Sequence, residues 1–110
     1  MIGAPFIWTY PAIVVRVVDG DTCRLRIDLG YEIWTEKNCR IAGVDAPELS
    51  TAAGRAAKAW ATGMLPRDGK CVFTSKQLDK YGRPLGDIAV PGMPSLAQAL
   101  LDAGHAVPYL

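Results

Sequence analysis

A strict alternation of apolar and polar side chains over residues 23–29 limits what this chain can fold into. The segment runs in the order Cys23, Arg24, Leu25, Arg26, Ile27, Asp28, Leu29. A period of two is that of a β-strand with one face in the core and the other in water. The sequence therefore predicts a half-buried strand here.

The segments on either side extend this strand into a meander. Residues 12–18 are a mostly β-branched run that ends at the turn-forming residues Asp19 and Gly20, which is typical of a buried strand. After a turn at Gly30, residues 31–41 are predicted as a third strand. The core side of that strand is predicted to hold Tyr31, Ile33, Cys39 and Ile41.

Two helices are indicated by their capping residues. After Pro47, either Ser50 or Thr51 can cap a first helix, whose apolar side chains recur at helical spacing. Those side chains are Ala53, Ala57, Trp60 and Met64. Residues 95–98 form a capping box for a second helix, and Gly104 is suited to end it.

The remaining segments complete the fold prediction. Residues 70–76 and 85–90 are predicted as the fourth and fifth strands, joined by a turn-rich segment. Three strands in a meander and two after a helix favour a mainly β fold with helices, of the α+β class. The predicted architecture is a five-stranded OB-fold Greek-key barrel with two helices packed on it.

Length and composition limit the possible functions. A chain of 110 residues predicts one domain over 1–110, with 1–11 as an N-terminal extension. The formal net charge is only +1, so nucleic-acid binding would need a local basic patch. Three cysteines without CxxC spacing favour reduced, buried thiols over a disulfide framework or a zinc site. Since no signal peptide or membrane-spanning run is seen, we expect a cytoplasmic protein with no membrane partner.

Two stretches, 19–22 and 40–48, place carboxylates at predicted strand ends beside an arginine. The residues are Asp21, Arg40, Asp45 and Glu48. Oxygen ligands suit Mg²⁺ or Ca²⁺, and guanidinium matches phosphate geometry, so the set suggests a cation site that also holds a phosphate. Each residue also has a structural interpretation, as a turn former, a helix N-terminal acid or a member of an ion pair.

A third stretch, residues 79–83, places Arg83 at a predicted loop tip. An isolated arginine there would be solvated, but Tyr81 and Gly82 make a shaped turn that can aim it. An exposed Tyr81 could hydrogen-bond a phosphate or stack on a base, whereas Lys80 is expected to be solvated. His105 is the only histidine, so a histidine pair for zinc cannot form.

These stretches together resemble the staphylococcal nuclease (thermonuclease) family. Four elements match in order: residues 17–22, 40–48, 54–57 and 79–83. The resemblance covers residues 12–104, and the ordered set is far more specific than the first motif alone. It implies an OB-fold barrel with a Ca²⁺-dependent nuclease site, although Mg²⁺ or another divalent ion is possible.

The resemblance also assigns roles to matching positions. It implies that Asp21, Asp45 and the carbonyl of Ala46 bind the ion, and that Glu48 assists the in-line attack of water. Arg40 and Arg83 would clamp the phosphate, while Lys80 and Tyr81 would contact a neighbouring phosphate or base. The chain departs from the family pattern in a short connection after Glu48 and in a missing C-terminal helix.

Three functions are compatible with the sequence. The leading one is an endonuclease that hydrolyses phosphodiester bonds of DNA and RNA with little sequence preference. The alternative is a non-catalytic nucleic-acid-binding OB-fold module, and a structural or partner-binding barrel is a third. The apolar N-terminal segment is expected either to cover a barrel face in a monomer or to mediate a homodimer.

Overall fold

A computed structural model describes residues 8–109, apart from the side chain of Lys76. Its elements follow the predicted order with two short strands added. They are β1 (Trp8–Asp19), β2 (Thr22–Asp28), β3 (Trp34–Ile41), β4 (Val44–Asp45), α1 (Ala52–Met64), β5 (Lys70–Leu78), β6 (Pro84–Ala89), α2 (Leu96–Asp102) and β7 (Val107–Pro108). The fold is mostly β with two helices, so the predicted class is confirmed.

Five of these strands close into a barrel in the order β1, β2, β3, β6, β5. The β3–β6 pair is parallel and the other pairs are antiparallel, which gives the mixed five-stranded barrel expected of an OB fold. The two short strands, β4 and β7, form a separate antiparallel pair that the sequence did not predict. This pair holds Asp45 opposite Val107, at the rim of the barrel.

The barrel interior is filled by one face of each long strand together with residues of both helices. The largest fully buried side chains include Phe73, Leu25, Ile41, Ile88 and Leu100. All three cysteines are buried and free, as the sequence predicted, and burial is the main cause that raises the pKa of the thiols of Cys23 and Cys39 to about 12. Such thiols pack as small apolar residues and are poor nucleophiles.

The prediction for the start of the third strand was wrong. The strand begins at Trp34, and Tyr31 and Ile33 are exposed instead of facing the core. The reason is a turn in which Gly30, Tyr31 and Glu32 all adopt positive φ angles. Leu29, which continues the apolar alternation of β2, is also exposed because β2 ends at Asp28.

The prediction for the buried face of α1 was also partly wrong. Thr51 is the N-cap, as expected, and its side chain accepts a hydrogen bond from the Gly54 amide. The fully buried positions of α1 are Gly54, Ala57 and Ala61, whereas Ala53 and Met64 are exposed. The helix therefore packs through small residues, which allows a close approach to the barrel.

The N-terminal residues that the structure describes do not form a separate extension. Residues 8–11, placed in the predicted N-terminal extension, belong to β1 and pair with β5. Phe6 and Ile7 lie outside the described residues, and a homodimer stays a prediction.

Ser95 caps α2, and Gly104 ends it with a positive φ, as expected. Within residues 8–109, the helices are too short to cross a membrane.

Candidate active site

The two carboxylate stretches meet at the rim of the barrel, around the guanidinium of Arg40. Its Nη1 lies 3.3 Å from Oδ2 of Asp21, and its Nη2 lies 3.4 Å from Oδ1 of Asp45. The same Nη1 donates a 2.8 Å hydrogen bond to the carbonyl of Ile41, at the end of β3. Arg40 is thus fixed by two ion pairs and a hydrogen bond to the backbone, and it brings the two acids together.

Asp21 is the buried member of this cluster. Its Oδ2 accepts a 2.8 Å hydrogen bond from the backbone N–H of Ala46, which ties the turn after β1 to the end of β4. Asp19, expected to be a turn former, accepts a hydrogen bond from the Asp21 N–H through its own carboxylate. That contact is the local loop closure typical of an Asp turn.

The pKa of Asp21 is raised, and burial of its carboxyl is the largest cause. The nearby Asp19 side chain raises it further, while the Ala46 N–H and Arg40 act in the opposite direction. The ionised form of Asp21 is therefore incompletely compensated by the residues around it. A second positive charge beside the Asp21 carboxylate would reduce the free-energy cost of ionising it in this buried position.

Close packing against α1 holds both stretches in place. A Cβ on Gly54 would lie 1.8 Å from the carbonyl oxygen of Glu48, and a Cβ on Gly20 would lie 2.8 Å from the side-chain Cβ of Ala46. The same Cβ on Gly20 would lie 2.9 Å from the Cβ of Ala57. Only glycine fits at these positions, so α1 supports the backbone on either side of the acids.

A groove of about 500 Å³ opens beside this cluster. It is lined by Arg40 and Asp45 and by the turn between β5 and β6. That turn contributes all three predicted residues, namely Lys80, Tyr81 and Arg83. The structure thus brings Arg40 and Arg83 to one groove, although they are 43 residues apart in sequence.

Within the turn, Arg83 is held by an aspartate that the sequence analysis did not assign a role. Nε of Arg83 lies 2.7 Å from Oδ2 of Asp79. The other carboxylate oxygen of Asp79 accepts hydrogen bonds from the backbone N–H groups of Tyr81 and Arg83, both 2.9 Å long. These bonds leave both terminal nitrogens of Arg83 without a partner among the described residues, as donors for a ligand.

The aromatic ring of Tyr81 lies between two cations. Nζ of Lys80 lies 5.2 Å from the ring centroid, and the guanidinium carbon of Arg83 lies 5.5 Å from it. Cations at such distances are attracted to the ring face. Tyr109, which the sequence analysis also missed, lines the groove, and its N–H donates to the carbonyl of Gly43.

Glu48 lies apart from the groove lining. Its side chain is exposed just before α1, and its carbonyl accepts hydrogen bonds from the N–H and the hydroxyl of Thr51. Ala46 contributes its N–H to Asp21, as described above. In residues 8–109 no cluster of three or more His, Cys, Asp or Glu side chains is close enough to hold a metal ion. Asp21 and Asp45 therefore form a two-carboxylate set.

Comparisons with known proteins show the family to which this chain belongs. The model of the staphylococcal nuclease homologue family matches residues 38–110. This chain belongs to the staphylococcal nuclease family. The matched residues include Arg40, Asp45, Glu48 and Arg83, and Asp21 lies before them.

Several curated relatives share this similarity. An uncharacterized endonuclease of Escherichia coli O157:H7 is 34% identical over 94% of this chain and 69% of its own length. A micrococcal nuclease of Shigella flexneri is 38% identical over 71% of this chain and 41% of its own length. Protein ParB of Escherichia coli is 36% identical over 70% of this chain and 40% of its own length.

Proposed function

We propose that this staphylococcal nuclease family member is a metal-dependent endonuclease that hydrolyses phosphodiester bonds of DNA and RNA with little sequence preference. The observation that carries the proposal is the groove lined by both Arg40 and Arg83. Arg40 and Arg83 are held by aspartates, so both guanidinium groups are preorganised. Family membership supports a nuclease, and the groove suggests where the phosphate would bind.

The two arginines suit a phosphate in different ways. Each guanidinium presents a planar fork that matches two phosphate oxygens, which lysine cannot do. Charge that develops on the phosphate oxygens during hydrolysis would be stabilised by donors that need no rearrangement. The loss of one such donor typically slows a reaction about 10²- to 10³-fold.

The donor set fits a hard divalent cation such as Ca²⁺. Asp21, Asp45 and the carbonyl of Ala46 would hold it, and the raised pKa of Asp21 indicates a carboxylate whose charge is incompletely balanced. Such an ion prefers oxygen ligands and accepts water in its remaining positions. When bound, it supplies charge neutralisation at the phosphate. The same residues also suit Mg²⁺, which keeps more of its water.

Glu48 is proposed to orient or deprotonate the attacking water. Its side chain is exposed and it follows Asp45 by three residues, with its backbone fixed by Thr51 and by the close contact at Gly54. A general base contributes about 10²- to 10⁴-fold to a rate. Tyr81 and Lys80 are proposed to contact the substrate beside the reacting phosphate.

Digestion of single-stranded DNA in the presence of Ca²⁺, Mg²⁺ or EDTA tests this function. We expect cleavage with a divalent ion and none with EDTA. Glu48→Gln should slow cleavage about 10²- to 10⁴-fold while DNA binding stays intact. Glu32→Gln is the matched control, because Glu32 is an exposed glutamate in the turn before β3, away from the groove.

Two results would contradict the proposal. Equal inactivity of the parent chain with every ion, together with retained DNA binding, would favour the non-catalytic nucleic-acid-binding module instead. Equal cleavage by the parent chain and by Glu48→Gln would remove Glu48 from the mechanism and leave the rest of the proposal standing.

A further inference from the structure

A continuous outward face of β2 and β3 leads away from the groove. Arg40 lies at the groove end of β3, and the same outward face of that strand continues through Asn38 and Glu36 to Trp34. The opposing positions of β2 are Arg24, Arg26 and Asp28. The inward residues Cys23, Leu25 and Cys39 are buried, so this face is the solvent side of the barrel.

The face carries more positive than negative charge. The charge of Arg40 is matched by Asp21 and Asp45, but beyond it three arginines lie on this face and on the adjoining part of β1, against two carboxylates. The arginines are Arg16, Arg24 and Arg26, and the carboxylates are Asp28 and Glu36. This is a local basic surface in a chain whose formal net charge is only +1.

Two of these arginines stand directly opposite one another. Arg16 of β1 is the register partner of Arg24 of β2, an arrangement of like charges that destabilises a sheet. Arg24 is compensated on its other side, because its Nε lies 2.6 Å from Glu36 and its Nη1 donates to Asn38. Arg16 is exposed and has no ion pair among residues 8–109. An anion placed between the two arginines would remove their repulsion.

An exposed aromatic ring lies at the far end of the same face. Trp34 is 44% exposed, and the guanidinium of Arg26 lies 5.1 Å from its ring centroid. The contact with Arg26 and the position on a strand restrict the movement of the Trp34 ring, which therefore presents a flat, rigid surface. Unpaired bases stack on such platforms whatever their sequence.

We propose that the outward face of β2 and β3 is a track for single-stranded nucleic acid that continues the substrate groove. Arg16 and Arg24 would contact the phosphates, and Trp34 would stack with a base. Six residues separate Arg40 from Trp34, or about 20 Å of strand. This length suits the lower end of the roughly 4 to 16 nucleotides bound by one OB fold.

The chemistry of the outward face of β2 and β3 indicates which ligand binds there. Arginines and a stacking platform suit a polyanion with accessible bases, and a duplex would keep its bases away from Trp34. The strand 2–3 face is also where OB folds bind oligonucleotides. The track rests on the proposed nuclease function, because its register is set by the scissile phosphate in the groove.

The test compares short and long oligonucleotides, with binding measured by fluorescence anisotropy in the Glu48→Gln background. An oligonucleotide of about two residues reaches only the groove, whereas one of about eight residues reaches Trp34. Trp34→Ala should weaken binding of the long form about 5- to 150-fold and leave binding of the short form unchanged. Trp34→Phe keeps an aromatic ring and should restore part of the affinity.

Salt dependence tests the arginines separately. Arg16→Ala should reduce the slope of log K against log salt by about 0.7 for the long oligonucleotide, the amount expected for one phosphate contact with a single strand. Arg67→Ala is the matched control, because it removes the same charge from the exposed loop between α1 and β5. That variant should leave the slope unchanged.

The outcomes separate the track from the nuclease function. If the parent chain cleaves DNA but Trp34→Ala and Trp34→Phe both bind the long oligonucleotide as tightly as their parent, the track is overturned. If Trp34→Ala changes only the sedimentation behaviour, the face contacts protein and the track is again overturned. If no chain cleaves DNA but Trp34→Ala still loses the long-form affinity selectively, the track stands and the proposed nuclease function fails.

Discussion

The two arginines that line the groove are held by different means. Arg40 is mostly buried and lies between Asp21 and Asp45, which come from separate parts of the chain. Arg83, in contrast, is bound by Asp79, four residues earlier in the same turn. The first arrangement depends on the whole barrel, whereas the second is a local structure.

This difference separates stability from function at the two sites. Arg40 compensates a buried carboxylate, so its loss leaves a charge without a partner in the interior. Arg83 is about one third exposed and pairs with an aspartate at the surface, where ion pairs contribute little to stability. If both arginines bind the phosphate, their removal should have similar effects on catalysis and unlike effects on folding.

The largest combined effect is expected from Arg40→Ala. Cleavage should fall about 10²- to 10³-fold, because a donor to the phosphate is lost. The free energy of unfolding should fall by about 1–3 kcal/mol, because Asp21 loses its charged partner. Nuclease assays and urea unfolding measure the two effects. Arg40→Lys keeps the charge and should recover more stability than activity; equal recovery of both would contradict the bidentate role.

Arg83→Ala should reduce cleavage by a similar factor of about 10² to 10³. Unlike Arg40→Ala, it should leave the unfolding midpoint nearly unchanged. The same two measurements on Arg55→Ala, an exposed arginine of α1 that donates hydrogen bonds to the backbone carbonyls of Leu49 and Ser50, provide a control that should keep full activity. A strong destabilisation by Arg83→Ala would show that the turn is not the independent unit described above.

Gly54→Ala tests whether α1 holds the backbone of Glu48 in position. The added Cβ would meet the carbonyl oxygen of Glu48 at 1.8 Å, so that backbone must shift. A displacement of about 1 Å can cost roughly 10²-fold in rate, and overpacking typically costs about 1–3 kcal/mol of stability. Enzyme assays and thermal unfolding report both.

Gly63→Ala is the control for that substitution. Gly63 lies in the same helix, and a Cβ there meets nothing within 4 Å. Alanine should therefore stabilise the helix by roughly 0.5–1 kcal/mol and leave cleavage unchanged. If Gly54→Ala behaved like Gly63→Ala, the close contact between α1 and Glu48 would have no role in positioning.

Sequence patterns predicted the elements whose signals are local. The alternation in β2 and the caps at Thr51 and Ser95 are examples, because each depends on a few neighbouring residues. The buried face of α1 was predicted only in part: Ala57 is buried and Trp60 packs against the core, but Ala53 and Met64 are exposed. The rest of the packed face consists of small residues selected by the close approach of α1 to the backbone of Glu48.

The site could be predicted in part for the same reason. The motifs contained Asp21, Arg40, Asp45 and Arg83, and the fold brings Arg40 and Arg83 to one groove. The role of Asp79 was missed, although the residue stands in the quoted turn. The contact forms because the side chain of Arg83 folds back over the turn so that its Nε reaches the carboxylate of Asp79. Sequence spacing does not show this side-chain orientation.

The smallest effect is expected from Asp79→Asn, which tests how firmly the turn aims Arg83. Asparagine keeps an oxygen for the two backbone N–H groups but loses the charge opposite Nε. We therefore expect KM to rise about tenfold or less while kcat changes little, since the hydrogen bond to a charged group is weakened and the turn persists. Asp102→Asn, at an exposed acid of α2, should leave both constants unchanged.

The pH dependence of stability gives a second measurement of the same contact. Burial would raise the pKa of Asp79, but the hydrogen bonds from the Arg83 N–H, the Arg83 side chain and the Tyr81 N–H outweigh it and lower the pKa below 3.8. An acid whose folded pKa is lowered stabilises the protein above its unfolded pKa, and the effect is lost as pH falls through the folded pKa. The difference in unfolding midpoint between the parent chain and Asp79→Asn should thus be constant above about pH 5 and shrink below pH 3.8. A difference that persists unchanged at the lowest pH would mean that the turn is held by its backbone geometry and that the charge of Asp79 does not restrain Arg83.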